Sequence, residues 1–232
     1  MQTASLGFRI VSGVARPDPA VVDRFRGLSS SNLADAMGRF RFMDPAIQAR
    51  TGLPVCGVAV TVNTRPGDNL MVHKALELAQ PADVVVVSTN GNLFNAVFGE
   101  IMGHVATAAR LGGIVVDGAI RDIEALTRLE LPVFSRTVSP GGCDKDGPGE
   151  INVPIACAGL VVVPGDVVLG DADGVIAISP ARLPQLLADV REKQAQEEEQ
   201  QRHHLAARTD PSLFAIDHER VDAILRAKGC PV

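Results

Sequence analysis

The sequence predicts an α/β protein, a compact sandwich on a mixed sheet, followed by a helical C-terminal extension. Three features lead there. Mid-chain, short apolar runs alternate with helix-patterned segments. After Glu150 the texture changes to short strands separated by Gly- and Asp-rich turns. From Arg182 a long, charged, helix-patterned stretch takes over. The expected division is an α/β domain over residues 1–180 and a helical extension over residues 181–232.

The first ~50 residues read as helical and partly exposed. Asp18-Pro19 opens one helix, and Ser30 or Ser31 can cap a second that ends at Gly38. Val55 to Val62 is rich in β-branched residues and reads as a strand. Arg65-Pro66-Gly67-Asp68 turns, and Asp68 can cap a helix from Asn69 to Ala79. Val84 to Val87 is apolar without alternation, the mark of a strand buried on both faces. A loop from Thr89 to Asn95 precedes a helix from Glu100 to Arg110. Ile114 to Val116 is the next buried strand, then a helix from Asp122 to Leu129 and a strand from Pro132 to Ser135. Such alternation builds parallel strands joined by helices. Further strands are expected at Ile151–Ala156, Leu160–Val163, Val167–Leu169 and Val175–Ile178, in an antiparallel or mixed sheet packed with the first. Helices over Arg182–Arg208 and Asp217–Ala227 close the chain.

Composition narrows the function. The chain is 46% hydrophobic and 21% charged, the balance of a globular protein with a core. Aromatics are 3%, with neither Trp nor Tyr, so the core must be aliphatic. Net charge is −5 and no Lys/Arg stripe stands out, which argues against a nucleic-acid partner. Cys56, Cys143, Cys157 and Cys230 lack CxxC spacing and read as reduced residues rather than a disulfide frame or zinc site. The N-terminus has no signal-peptide pattern, and no apolar run nears the ~20 residues of a membrane span. A cytoplasmic protein without membrane association is expected.

Chemistry is expected where buried parallel strands end, in the loops before the next helices. One such loop runs from Asn90 to Gly99-Glu100, the other from Asp117 to Arg121-Asp122. Arg121-Asp122 has two readings. Asp122 can be a helix N-cap with Arg121 as its surface partner. Alternatively Asp122 is a hard oxygen ligand for Mg²⁺ or Mn²⁺, and Arg121 clamps a carboxylate by paired hydrogen bonds. Glu100 reaches the same crevice if the two strands are neighbours. The helix start at Gly99–Met102 offers unpaired N–H groups for an anion. A 2-oxo acid needs both parts, donors for its carboxylate and a cation for its keto oxygen. Other groupings are weaker. No nucleotide-binding glycine loop occurs, His203-His204 and Glu197-Glu198-Glu199 read as solvated helix surface, and His73 and His104 read as structural.

Phe98-Gly99-Glu100 and Gly113 to Asp122, read together, resemble the RraA-like proteins, and within them the 4-hydroxy-4-methyl-2-oxoglutarate / 4-carboxy-4-hydroxy-2-oxoadipate aldolase branch. That branch carries an acidic residue, a fixed interval, then Arg-Asp; Glu100, residues 101 to 120, and Arg121-Asp122 fit it. Met43 to Ala46, Arg65 to Asn69 with His73, Asn152 to Ile155, Pro164 to Val168 and Asp171 to Val175 add to the likeness, which covers about residues 15 to 200. The resemblance implies an α/β sandwich that forms trimers or hexamers, with the site at a subunit boundary. It implies direct metal binding by Asp122, with Glu100 reaching the metal through water. Arg121 would hold the pyruvyl part, and the Gly99–Met102 turn its carboxylate through the amides of Ile101 and Met102. Asn69 and Lys145 would stand near the pocket. A neighbour's C-terminal helix would supply Glu197 or Glu198. Beyond Ala207 the likeness fades. The activity implied is metal-dependent cleavage of such 4-hydroxy-2-oxo acids to pyruvate, with oxaloacetate decarboxylation through the same enolate. The alternative is a non-catalytic regulator that binds an RNA-processing enzyme; a methyltransferase reading finds no nucleotide loop to support it.

Overall fold

A computed structural model describes residues 6–210 and 218–231. Two units are distinguished, Met1–Val190 and Arg191–Val232. In the first, β1 (Phe8–Ile10) precedes two short helices, α1 (Pro19–Asp23) and α2 (Ser30–Ala36). Then follow β2 (Gln48–Ala49), β3 (Val55–Thr64), α3 (Leu70–Leu78), β4 (Val84–Ser88), β5 (Ala96–Phe98), α4 (Glu100–Ala108), β6 (Gly113–Ile120), α5 (Ile123–Arg128) and β7 (Val133–Val138). Five further strands complete it: β8 (Gly149–Ile151), β9 (Ile155–Cys157), β10 (Leu160–Val162), β11 (Val167–Asp171) and β12 (Gly174–Ile178). Helix α6 (Leu183–Ala206) starts in the first unit and continues into the second, which also holds α7 (His218–Ala227).

The apolar runs became the centre of the sheet. Strands β3, β4, β6 and β7 are parallel neighbours in that order, with Val86 paired to Thr61 on one side and Val115 on the other. Every residue of β4 is buried, as a strand covered on both faces must be. One face packs on α3, α4 and α5 through Val85, Val87, Ile114 and Val116. The other, through Val84, Val86 and Val115, meets Met43, Ile47 and the β9–β10 hairpin. A third cluster joins Val22 of α1 and Leu33 of α2 to Leu183, Leu186, Leu187 and Val190 at the start of α6.

Several expectations need correction. The segment before residue 50 is not wholly helical; it includes β1 and β2, each recruited to a sheet edge by a distant partner, β8 and β7. The late strands divide: β9 and β10 form a separate two-stranded antiparallel sheet packed on the first, as expected, whereas β11 pairs antiparallel with the first half of β3 and with β12, and so extends the main sheet. Ile151–Ala156 is two strands, broken where Asn152 adopts a left-handed conformation at φ 57°. The stretch from Asp117 is not a loop: β6 runs on to Ile120 and gains β5, which the sequence did not reveal. Asp217 lies outside the described residues.

Candidate active site

The continuation of β6 sets the site. Because Arg121 donates its backbone N–H to the Phe98 carbonyl at 3.0 Å, the end of β6 and the start of α4 lie side by side. Asp122 follows in a left-handed conformation, φ 59° and ψ 41°, which costs a non-glycine residue energy and is held only where surroundings enforce it. Asp122 occupies the position before α5, yet its side chain makes no capping bond to that helix. The carboxylate turns instead toward α4, where Oδ2 accepts the Glu100 N–H at 3.0 Å. The capping reading of Asp122 is thus corrected for its own helix.

Gly99 makes this approach possible. Its backbone is extended, which any residue tolerates, so the need for glycine is one of space. A Cβ there would stand 2.6 Å from Asp122 Oδ2 and 3.0 Å from Arg121 Cγ. Arg121 Nε sits 3.4 Å from Asp122 Oδ2, and the guanidinium makes no hydrogen bond among the described residues. Glu100 caps nothing, and its Oε1 stands 3.9 Å from His104 Nε2. From bond lengths, a glutamate carboxylate lies within about 6 Å of its own amide nitrogen. The Glu100 and Asp122 carboxylates therefore stand within about 9 Å of each other, close enough for one water-bridged ion shell.

Around these groups lies a cavity of about 210 Å³. Arg121, Asp122, Glu100, Gly99, Ile101 and Met102 line it, together with Asn69, His73, Cys143 and Lys145 among others. The first turn of α4 leaves the amides of Ile101 and Met102 without carbonyl partners. Asn69 is buried; its Nδ2 donates to the Val97 carbonyl at 3.2 Å, which leaves Oδ1 with no protein donor among the described residues. Lys145 stands free of any ion pair among the described residues. Burial, and then the Lys145 charge, push the His73 imidazole below its ordinary value. Burial pushes the Cys143 thiol up to about 11.

His73 and Cys143, the latter a free cysteine as expected, stand in the cavity wall, a placement that the sequence does not show. The first turns of α3 carry His73 there and the loop after β7 carries Cys143, and neither gives a local signal. Glu197 and Glu198 lie on the distal part of α6, in the second unit. Among the described residues no three His, Cys, Asp or Glu side chains gather into a cation cage. The oxygen donors are one carboxylate with a free oxygen and a second within reach. That set suits a hard cation that keeps most of its water, as Mg²⁺ does, and is unlike a zinc cage.

Similarity to known proteins bears on these residues. The family described as RraA-like, Aldolase/RraA, matches residues 30–177, the stretch that holds the whole cavity. A protein from Halalkalibacterium halodurans, provisionally named 4-hydroxy-4-methyl-2-oxoglutarate aldolase, is 37% identical over 182 residues, 78% of this chain and 87% of that one. Among solved structures, Streptomyces coelicolor RraAS2, described as an unusual member of the RNase ES inhibitor RraA family, superposes with a TM-score of 0.75 at 26% identity. That match covers 82% of this chain and 99% of that one. The RNA-processing inhibitor RraA from Thermus thermophilis gives a TM-score of 0.60 at 28% identity, covering 65% and 92%.

Proposed function

Because the chain belongs to the RraA-like, Aldolase/RraA family, we propose that it is a class II aldolase that cleaves 4-hydroxy-2-oxo acids and releases pyruvate. Substrates of this type are 4-hydroxy-4-methyl-2-oxoglutarate and 4-carboxy-4-hydroxy-2-oxoadipate, and oxaloacetate would be decarboxylated at the same site. The observation that carries the reading is the turn of the Asp122 carboxylate away from its own helix to the Glu100 amide. It gathers Arg121, Asp122 and Glu100 at one cavity.

Arg121 and the free amides of Ile101 and Met102 bind the C1 carboxylate, a set of donors matched to a planar anion. Lys145, the other cation of the wall, receives the remaining carboxylate. Asp122 directly, and Glu100 through water, would hold a divalent cation, Mg²⁺ or Mn²⁺, which when bound would supply electrophilic pull on the 2-keto oxygen. Glu100 takes the proton of the 4-hydroxyl through a water, and the C3–C4 electron pair passes to C3 as that hydroxyl becomes a carbonyl. Arg121 stabilises the resulting enolate, which gains a proton at C3 to give pyruvate. Oxaloacetate reaches the same enolate by losing CO₂, with no hydroxyl proton to remove. No lysine Schiff base enters.

Ile101, in the cavity wall, is 76% exposed, and Phe94, in the loop before β5, is 81% exposed. Their exposure supports a homo-oligomer, trimer or hexamer, whose neighbour covers this face and adds Glu197 or Glu198. The likeness to RraA inhibitors favours one other reading, a binding protein for an RNA-processing enzyme. Pyruvate release from oxaloacetate and the two hydroxy acids, with and without EDTA and with borohydride, separates them. EDTA should abolish turnover while borohydride leaves it intact. No turnover of any substrate with Mg²⁺ or Mn²⁺ present would favour the binding protein, and inactivation by borohydride alone would refute the metal route.

A further inference from the structure

Asp68 lines none of the cavity, yet two parts of its wall, the start of α3 and the loop of residues 143–147, are tied to it. Its side chain is fully buried in the turn between β3 and α3. Oδ1 accepts the Leu70 N–H at 2.9 Å and so fixes the start of α3, the helix that brings Asn69 and His73 to the cavity. Oδ2 accepts the N–H groups of Asp146 at 2.7 Å and Gly147 at 2.9 Å. Arg65 Nη2 stands 3.3 Å from the same oxygen and 3.1 Å from Asp144 Oδ2, and Arg65 Nε donates to the Gly147 carbonyl. Main-chain bonds add to the tie: Asn69 N–H to the Asp144 carbonyl at 3.0 Å, and Asp144 N–H to the Gly67 carbonyl at 2.9 Å.

Capping α3 needs only one oxygen, which a serine or threonine could provide. A buried charge is far more costly unless most of its oxygen sites are filled. Here, besides Leu70 and Arg65, two are filled by the loop that carries Cys143 and Lys145, a segment outside any helix or strand of its own. The second oxygen of Asp68 therefore serves the loop rather than the helix.

We propose that Asp68 is a positioning residue for Lys145, holding loop 143–147 so that the ammonium meets the second carboxylate of a dicarboxylic 2-oxo acid. The ligand in this statement rests on the proposed function, whereas the restraint on the loop does not. Asp68→Asn keeps the volume and removes the charge. Hydrogen exchange of a peptide spanning 143–147 should quicken at least about tenfold in the variant, because its two amides exchange a charged acceptor for a neutral side chain whose single oxygen the Leu70 N–H also needs. Calorimetry with Mg²⁺ then compares 2-oxoglutarate, with two carboxylates, against pyruvate, with one. The variant should bind 2-oxoglutarate about tenfold more weakly and pyruvate within about threefold of wild type. In a Lys145→Met background, Asp68→Asn should add less than about twofold.

Unchanged exchange, equal weakening of both ligands, or a full effect in the Lys145→Met background each overturns the proposal. Should Asp68→Asn not fold, Arg65→Met loosens the same loop from its exposed side, and the same pattern is expected at about threefold. No change in Arg65→Met overturns the proposal equally. Wild-type protein that binds neither ligand contradicts the proposed function and the role of Lys145, and the exchange result alone then decides the restraint.

Discussion

Replacing Gly99 with alanine adds one methyl group at the tightest point of the site. The backbone there is extended, so alanine meets no conformational penalty. The new Cβ would lie 2.6 Å from Asp122 Oδ2, against an ordinary contact of 3.4 Å or more. The carboxylate must therefore retreat by about 0.8 Å, and as the free end of a half-exposed side chain it can. Its bond from the Glu100 N–H is strained or lost, a change of about 1 kcal/mol in stability, or roughly 2–4 °C in Tm for a chain of this size. Activity should suffer far more, because a misplacement near 1 Å costs on the order of 100-fold, about 2.7 kcal/mol in the barrier. The assay is kcat/KM for pyruvate release at saturating Mg²⁺, paired with a thermal melt. A variant that melts near wild type but retains kcat/KM within about threefold would refute the link between this carboxylate's position and turnover.

Other substitutions probe separate parts of the account. Asp122→Asn removes the proposed direct ligand yet keeps an oxygen for the Glu100 amide; activity should fall at least about 1,000-fold with little change in Tm, and retained activity would contradict the ligand role. Arg121→Ala should abolish aldol cleavage and oxaloacetate decarboxylation alike, measured by pyruvate release, since both pass through one enolate. His73 is held below its ordinary value of 6.5 by burial and by Lys145. Its neutral form is therefore favoured in the fold, and the stability this confers is present above about pH 6.5 and lost as pH falls below it. The drop in Tm between pH 7.5 and 5.5 should accordingly shrink in His73→Gln. Cys143, its thiol raised to about 11, should resist iodoacetamide at pH 8 while exposed Cys230 is labelled, as peptide mass mapping will show.

The parts of the fold that show in the sequence are those whose signal is local. Val84–Val87 and Ile114–Val116 are apolar on successive residues because both faces of the sheet are covered, and no distant partner is needed to see it. Asp68 was readable as a cap because the Leu70 amide lies two residues away. Its second task was not, because those amides lie 78 and 79 residues along the chain. Asp117 and Gly118 look like loop residues, yet both sit inside β6. Asp117 is matched by Arg136 and by the Ala158 amide, while Gly118 lies where a Cβ would meet Thr89 Oγ1 at 2.4 Å. Strands of two or three residues such as β2 and β5 have too little pattern to show a period and exist only through their partners. Glu100, Arg121 and Asp122, which line one cavity, were nameable from their positions at strand ends and from the family resemblance. The left-handed turn that points Asp122 at α4 rather than α5 was not, since aspartate before a helix ordinarily caps it.

One measurement bears most directly on the proposed convergence of Arg121, Asp122 and Glu100 around a cation and a keto acid. Crystals grown with Mn²⁺ and pyruvate can be read by anomalous scattering from the metal. The expected peak lies within about 2.5 Å of an Asp122 carboxylate oxygen, with the pyruvate carboxylate against Arg121 and the amides that open α4. A peak seated elsewhere, or pyruvate bound away from Arg121, would contradict the account.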